Sequence, residues 1–216
     1  MENMKDKIAI LIPTFNREHF LLESLMSIKL QTYTNLKAFI YDDGSTDDTE
    51  KIVSQFIKAD SRFYYVRDKK NRGVVYARNI LLNMCRFEGF KYAAWQDSDD
   101  KSNIYRLQYQ YNAILHKNCA VVGTTWKSTN RMNDHDWNTA WLNFPEVADK
   151  TRICFAGILF NVANSVDFNE NKVTGEDVNW RSLMKKKNGK EFCLNEILYY
   201  VRWHAGRLSH LKRKRK

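Results

Sequence analysis

The stretch of sequence that decides the fold is Tyr92-Ala93-Ala94-Trp95-Gln96-Asp97-Ser98-Asp99-Asp100, in which an apolar run passes directly into three carboxylates. The apolar residues predict a buried strand. Neighbouring carboxylates repel one another, and taking them out of water costs free energy unless a cation or hydrogen-bond donors compensate. Oxygen ligands favour Mg²⁺ or Mn²⁺ over zinc, and Mg²⁺ keeps coordination positions for water and phosphates. The stretch therefore predicts a metal-held phosphate at the carboxyl end of a strand, where open α/β sheets bind ligands.

The same carboxylates have an interpretation that needs no ligand. Asp100, Ser102 or Asn103 would cap the helix predicted to follow, because such side chains accept hydrogen bonds from the first N–H groups of a helix. Taken alone, residues 97–100 favour this cap. The choice between the two interpretations depends on the rest of the chain.

Strand and helix patterns alternate through the first hundred residues. Apolar runs predict strands at residues 8–12, 36–41, 63–66 and 92–96, and helical spacing predicts helices at 18–30, 50–58 and 74–86. Thr46 or Asp47 is the predicted cap of the second helix. Strands separated by helices of this length imply right-handed crossovers and a mostly parallel sheet. Three polar motifs, at residues 13–16, 42–43 and 97–100, then meet along one edge of that sheet.

The second half of the chain has a less regular pattern. Helices are predicted at residues 104–116 and 177–186, strands at 121–126 and within 192–203, and a polar, aromatic loop at 127–149. Residues 153–162 are apolar again. Because no repeat and no linker rich in Pro or Gly divides the chain, we expect one α/β domain over residues 1–216.

Composition restricts the class of protein. A hydrophobic fraction of 44% in 216 residues indicates a globular chain that buries a full core. No apolar run is long enough to span a membrane, and residues 1–6 reach the first strand too soon for a secretory signal. The four cysteines form no Cys-x-x-Cys pair, which predicts reduced thiols and a cytoplasmic location rather than disulfides or a zinc site.

The net charge of +10 indicates an anionic partner. Much of the charge lies in a basic tail, residues 212–216, and in a second cluster at residues 185–187. These runs suit a membrane surface, a polyanionic acceptor or nucleic acid, and equally a solvated end of the chain. Of the partners, we expect peripheral membrane contact through the tail rather than nucleic acid.

Six short motifs follow one another in a fixed order. They are residues 12–17 (IPTFNR), 42–49 (DDGSTDDT), 71–73 (NRG) with 77–79 (ARN), 97–100 (DSDD), 175–177 (GED) and 202–204 (RWH) with 208–209 (LS). In this order and at these spacings they resemble the family-2 glycosyltransferases, over about residues 8–209. The resemblance implies a GT-A fold, which is a Rossmann-like α/β domain with a smaller mixed region on the acceptor side. It also implies metal-dependent, inverting transfer of a sugar from a nucleoside diphosphate sugar, expected to be a UDP-hexose.

The resemblance divides the chain by substrate. Residues 1–102 correspond to the half that binds the nucleotide sugar, residues 103–211 to the acceptor half, and residues 212–216 form the basic tail. The implied acceptor is a hydroxyl of a glycan, a lipid-linked saccharide or a protein. The transferred sugar and the oligomeric state are not implied.

Residues at the strand ends are the expected nucleotide-sugar site. In the family, the aspartate that matches Asp43 accepts the imide N–H of uracil; the alternative is an Asx turn. Asp42 remains open between a ribose contact and a turn. Arg78 would pair with the diphosphate or with base carbonyls, and its alternative is a surface ion pair. The expected set is Pro13, Thr14, Asn16, Asp42, Asp43, Arg78, Asp97 and Ser98.

The expected metal ligands, for Mn²⁺ or Mg²⁺, are Asp97, Asp99 and His204. Asp97 also remains open to a contact with ribose or with a metal-bound water. Asp100 remains open between orienting the site and capping the following helix. A metal held here would neutralise the charge that develops on the departing nucleoside diphosphate.

The expected general base is Asp177, which would remove the proton of the acceptor hydroxyl. Glu176 would bind acceptor hydroxyls or hold Asp177 in place. The alternative for both residues is the acidic first turn of a helix, which the helix dipole favours.

Two other functions agree with parts of the sequence. A sugar-phosphate nucleotidyltransferase shares the sheet and the metal site, but that class uses a Gly-rich loop after the first strand, and residues 14–17 (TFNR) contain no glycine. A non-catalytic basic module that binds an anionic partner leaves the ordered acidic motifs without explanation. Sugar transfer is therefore the expected function.

Overall fold

The structure is a computed structural model that describes residues 6–128, 153–172, 175–188, 190–202 and 204. Most of the predicted loop at 127–149 and the whole basic tail at 212–216 lie outside the described residues. No helix in the described part of the chain combines the length and the apolar character needed to cross a bilayer.

Strands and helices alternate from the amino end as predicted. The first half contains β1 (Ile8–Thr14), α1 (Leu21–Lys29), β2 (Leu36–Asp42), α2 (Thr49–Ala59), β3 (Phe63–Arg67), α3 (Val74–Phe87) and β4 (Tyr92–Trp95). The second half contains β5 (Lys101–Ser102), α4 (Arg106–Lys117), β6 (Val121–Ser128), β7 (Leu159–Asn161), α5 (Glu176–Asn188) and β8 (Glu191–Val201). The apolar run at 153–162 consists of β7 between two 3₁₀ turns, Phe155–Gly157 and Val162–Asn164.

The described strands form one eight-stranded sheet in the order β3-β2-β1-β4-β7-β6-β8-β5. Strands β1 to β4 are parallel, with Ile8 opposite both Leu36 and Tyr92. β7 runs antiparallel to β4 and β6, and β5 runs antiparallel to β8. The predicted α/β fold with a mostly parallel sheet is confirmed, and the ends of β1, β2 and β4 lie at one edge.

Helices cover both faces of the sheet, which explains why its strands read as continuous apolar runs. Successive residues of β1 alternate between the two faces: Ile10 packs in one core with α1, α2 and α4, whereas Leu11 packs in the other with α3 and α5. The second core contains Trp180 of α5, which is fully buried and stacks on Phe168 with ring centroids 5.4 Å apart. This packing fixes the start of α5 relative to the sheet edge.

The predicted helix caps are partly confirmed. α2 begins after Asp48, whose side chain makes no cap, but the predicted Asp47 accepts the N–H of Thr49, the first residue of the helix, at 3.1 Å, and also the N–H of Glu18. α4 begins at Arg106, two residues later than predicted. Of its three predicted caps, Asn103 accepts the N–H of Tyr105, the residue before the helix, at 2.9 Å, whereas Ser102 donates to Gln96. The reason for the later start is β5, which follows the acidic motif directly and pairs with β8 before the helix can start.

Candidate active site

Asp43 stands at the carboxyl end of β2, where the ends of β1 and α3 converge. Its backbone N–H donates to Thr14 O at 2.9 Å. Its carboxylate accepts the N–H of Arg72 at 2.8 Å on one oxygen and the N–H of Gly73 at 2.6 Å on the other. Each oxygen keeps a second lone pair, so the carboxylate can still accept a donor from a ligand. Burial raises the pKa of Asp43, and these two backbone hydrogen bonds offset only part of that effect.

Asp42 has a different environment from its neighbour. Its side chain is fully buried, and its Oδ1 accepts the N–H of Ser45 at 2.8 Å and the hydroxyl of Ser45 at 2.6 Å. Its Oδ2 accepts the hydroxyl of Tyr65 at 2.7 Å. Asp42 therefore makes the turn contact that was its own alternative, through the N–H three residues on, and a ribose contact of Asp42 stays a prediction.

The loop after β1 lies against the loop after β2. Asn16 Oδ1 accepts the N–H of Thr46 at 2.8 Å, and Asn16 has a positive φ of 51°, a conformation that asparagine tolerates better than most residues. Pro13 is partly buried beside Thr14. The Thr14 hydroxyl is buried and has no hydrogen-bond partner among the described residues. An unsatisfied buried hydroxyl costs free energy, so its position suits a ligand that supplies a partner.

Three carboxylates converge after β4. Asp97, Asp99 and Asp100 each offer an oxygen, and these oxygens lie within 4.8 Å of one another. We call these three residues the acidic cluster. Asp100 is 1% exposed and Asp99 9% exposed, and Ser98, between Asp97 and Asp99, is also buried. An oxygen-only donor set of this kind fits Mg²⁺ or Mn²⁺.

His204 reaches this cluster from the far end of the chain. Its Nε2 lies 2.9 Å from Asp99 Oδ2, and Arg17 Nε lies 3.3 Å from the same oxygen. The N–H of Arg202 donates to Asp100 Oδ1 at 2.8 Å. The cap expected as one alternative for Asp100 is therefore wrong, since this carboxylate holds the end of β8 instead. Cationic and N–H groups thus offset part of the mutual repulsion of the cluster.

Arg78 connects the acidic cluster to α5. Its Nη2 lies 3.7 Å from Asp97 Oδ1, and its Nη1 donates to Glu176 Oε1 at 3.3 Å. Its side chain is 7% exposed, so the alternative of a surface ion pair is wrong. The guanidinium also lies over the ring of Phe155, 4.7 Å from its centroid, and its Nε has no hydrogen-bond partner among the described residues. The Nε–H is therefore a donor of this guanidinium that the described residues do not use, and a charged N–H of this kind suits an anion.

The two acidic residues at the start of α5 have different surroundings. Glu176 is buried against Arg78, whereas Asp177 is partly exposed and accepts the N–H of Val178 at 2.8 Å. Both lie in the first turn of the helix, where the dipole favours negative charge. The Asp177 carboxylate is therefore more accessible to solvent than that of Glu176.

Two residues near the cluster, Arg17 and Glu23, were not among the expected site residues. Arg17 lies in a quoted motif, but only the fold brings it to Asp99. Glu23 binds both Lys101 and Arg202, which lie next to the cluster. Their sequence neighbourhoods carry no signal of these contacts, because the partners are between 78 and 179 residues away. The sequence offers one weak signal for each: Arg17 lies in the loop after the first predicted strand, and Glu23 lies near the start of the first predicted helix.

Comparison with known proteins gives the family. Residues 9–169 match the family model of glycosyl transferase family 2. An uncharacterised glycosyltransferase of Rickettsia felis is 30% identical over 190 residues, which are 84% of this chain and 31% of that protein. The chain therefore spans less than a third of the length of this relative.

Solved structures agree with the fold. TarS residues 1–349 of S. aureus, in complex with UDP-GlcNAc, has a TM-score of 0.76 at 20% identity over 93% of this chain and 60% of that one. The mannosyltransferase PcManGT from Pyrobaculum calidifontis, in complex with GDP-Man and Mn²⁺, has a TM-score of 0.68 at 15% identity over 92% of this chain and 57% of that one. The family match covers most of the chain and the fold agrees with it, so this chain belongs to glycosyltransferase family 2.

Proposed function

We propose that this chain transfers a sugar from a nucleoside diphosphate sugar, specifically a UDP-sugar, to an acceptor hydroxyl. The observation that carries the proposal is the position of Arg78 between Asp97 and Glu176. A buried arginine at this point would bind the diphosphate beside the acidic cluster and within reach of the helix that carries Asp177. The phosphates of the donor and the general base that acts on the acceptor would then lie in the same crevice.

The donor base is proposed to lie against Asp43 and Thr14. The ionised carboxylate of Asp43 would accept the imide N–H of uracil, and the unsatisfied Thr14 hydroxyl would gain a partner. TarS in complex with UDP-GlcNAc and PcManGT in complex with GDP-Man support a nucleotide-sugar donor. The choice of uracil rests on the acceptor character of Asp43 and on the family resemblance of residues 42–49.

A divalent cation is proposed at the acidic cluster. Asp97, Asp99 and His204 would hold Mn²⁺ or Mg²⁺, with Asp100 beside them. When bound, the cation supplies charge neutralisation for the departing nucleoside diphosphate. The Mn²⁺ in the complex of PcManGT supports this choice of metal.

Asp177 is proposed as the general base of an inverting transfer. The acceptor hydroxyl would attack the anomeric carbon opposite the leaving group, while Asp177 takes its proton. Glu176 pairs with Arg78 and so would keep that arginine aimed at the diphosphate. The acceptor is proposed to carry the hydroxyl on a glycan, a lipid-linked saccharide or a protein. Membrane contact through residues 212–216 stays a prediction.

Release of UDP tests the proposal. The full chain is incubated with a panel of UDP-sugars and Mn²⁺, with an acceptor panel and with water alone, because slow donor hydrolysis needs no known acceptor. Asp99→Asn and Asp177→Asn are compared with Asp48→Asn, which alters an exposed carboxylate on α2's amino end. We expect Asp177→Asn to bind UDP normally and to lose about 10²- to 10⁴-fold in turnover.

Each part of the proposal fails on a different result. A wild-type protein that neither binds UDP nor releases it from any donor contradicts the UDP-sugar assignment. Normal turnover of Asp177→Asn contradicts the base alone. Normal turnover of Asp99→Asn contradicts the cation site alone.

A further inference from the structure

Glu23, in the first turn of α1, contacts two buried cations. Its Oε2 accepts a hydrogen bond from Lys101 Nζ at 2.7 Å and another from Arg202 Nη2. The side chains of both cations are 8% exposed, and that of Glu23 is 35% exposed. Burial opposes ionisation of Glu23, but the hydrogen bonds and charges of Lys101 and Arg202 outweigh it and lower the pKa. One carboxylate therefore holds two cationic side chains.

These cations belong to the two chain segments that border the acidic cluster. Lys101 opens β5 directly after Asp100, and Arg202 follows the last residue of β8. β5 and β8 pair in antiparallel fashion, with Lys101 opposite Tyr200. The N–H of Arg202 also donates to Asp100 Oδ1 at 2.8 Å. Through these two contacts, Glu23 links both segments to α1.

An aromatic ring continues the contacts from Arg202 to His204. The guanidinium of Arg202 lies over the ring of Phe20, 4.8 Å from its centroid. The same ring lies against the imidazole of His204, with centroids 4.4 Å apart. His204 Nε2 then lies 2.9 Å from Asp99 Oδ2. The series of contacts therefore runs without a gap from Glu23 to the acidic cluster.

We propose that Glu23 is a positioning residue which, through Arg202 and Phe20, sets His204 beside Asp99 and so raises the affinity of the acidic cluster for a divalent cation. This inference rests on the proposed function, because it takes the acidic cluster as the cation site. Glu23 does not itself reach the cluster. Outer residues that orient metal ligands typically change metal affinity by about 10- to 100-fold when they are replaced.

A purely structural ion pair makes a different prediction. Removal of Glu23 would lower stability under either explanation, because it leaves Lys101 and Arg202 without their shared carboxylate. A structural role alone leaves the cation affinity of the folded protein unchanged. Cation affinity, measured well below the unfolding temperature, therefore separates the two explanations.

The test is Mn²⁺ binding by the full chain carrying Glu23→Gln, measured from the EPR signal of free Mn²⁺. We expect the Kd for Mn²⁺ to rise by about 10-fold or more, with the affinity for UDP in EDTA unchanged. Glu88→Gln is the matched control. The side chain of Glu88 has the same 35% exposure and contacts Lys37 Nζ at the same 2.7 Å, but Lys37 lies near the start of β2, at the other edge of the sheet.

A second variant keeps the inference testable if Glu23→Gln does not fold. Phe20→Leu retains Glu23 and both cations but removes the ring between Arg202 and His204, so it should also weaken Mn²⁺ binding. An unchanged Kd in the folded variants, or an equal rise in Glu88→Gln, overturns the role of Glu23. A wild-type protein that binds no Mn²⁺ overturns the proposed cation site, and this result appears before any variant is measured.

Discussion

Arg78 Nη1 donates to Glu176 Oε1 across 3.3 Å, although 98 residues separate the two in sequence. Arg78 belongs to α3, in the half of the chain proposed to bind the nucleotide sugar, and Glu176 begins α5 beside Asp177. The second arm of the same guanidinium lies near Asp97. One buried side chain therefore sets the distance between the acidic cluster and the proposed base.

Replacing Arg78 by lysine keeps the positive charge but should still lower turnover strongly. In Arg78→Lys, a single ammonium cannot reach Asp97 and Glu176 together, because it lacks the planar fork of the guanidinium. We expect turnover to fall by about 10²-fold or more, the scale seen when one charge-stabilising donor is removed. UDP release under saturating donor is the measurement. Arg86→Lys, on the same helix but more exposed and paired with Asp167, should keep wild-type turnover, and equal losses in both variants would contradict the assignment.

Divalent metal should stabilise the folded protein through the acidic cluster. A ligand at 100 times its Kd that binds only the native state adds about 2.7 kcal/mol of stability. For a domain of this size that corresponds to a rise in Tm of about 5–10 °C. Differential scanning calorimetry with Mn²⁺, and again after EDTA, measures it.

The effect should depend on one named carboxylate. Asp99→Asn should lose most of the Mn²⁺-induced rise in Tm, whereas Asp48→Asn on the exposed end of α2 should retain it. A full rise in Asp99→Asn would show that Mn²⁺ acts elsewhere on the protein.

The order of strands and helices was predictable because both halves of the sheet carry periodic or continuous apolar runs. Residues such as Leu11 and Phe39 are buried on a sheet covered by helices, and this leaves a strong local signal. The shared edge of the three polar motifs followed directly from parallel strands. Helix starts were less predictable, because β5 interrupts the chain after Asp100 through pairing with a strand almost a hundred residues away.

Contacts between distant segments were the part that sequence could not supply. Asp42 and Asp43 are adjacent and chemically identical, yet one is enclosed by Ser45 and Tyr65 and the other binds the segment at Arg72. One of the two carboxylates makes the turn contact, and the other is proposed to bind the ligand. Which residue has which role depends on which carboxylate lies toward α3. Nothing in the local pattern of a strand end specifies that direction.

When the pH is lowered, UDP binding should begin to weaken at a higher pH than it would if Asp43 had the pKa of an ordinary aspartate. Burial holds the pKa of Asp43 above the usual 3.8, and only the ionised carboxylate can accept the uracil imide N–H without competing protons. As pH falls through the raised pKa, Asp43 takes up a proton and affinity drops. Titration calorimetry with UDP in EDTA removes any contribution from metal binding.

The variant Asp43→Asn tests the source of this pH dependence. It should bind UDP more weakly at neutral pH, by about 1–3 kcal/mol, because its amide leaves a donor unsatisfied in a buried site. Its affinity should also change less between neutral and acidic pH. An acid limb that survives unchanged in Asp43→Asn would assign the titration to another group.

Gly44 should be the glycine least tolerant of substitution at the nucleotide end. It has φ +75°, and an added Cβ would lie 2.6 Å from the carbonyl carbon of Lys70 and 2.9 Å from the nitrogen of Asn71. Gly89 has nearly the same φ, +72°, with nothing within 4 Å of an added Cβ. Gly89→Ala therefore measures the cost of the backbone conformation alone, about 1–2 kcal/mol. Gly44→Ala should cost about 1–3 kcal/mol more, because backbone atoms must move to admit the methyl group.

The backbone shift caused by Gly44→Ala should weaken donor binding as well as lower stability. The segment that Gly44 contacts continues into the N–H groups of Arg72 and Gly73, which hold Asp43. Urea unfolding measures the stability of both variants, and UDP titration measures binding in the folded state. Gly44→Ala should weaken UDP binding, whereas Gly89→Ala should not. Equal stability losses with normal UDP affinity in both would mean that the close approach at Gly44 does not position Asp43.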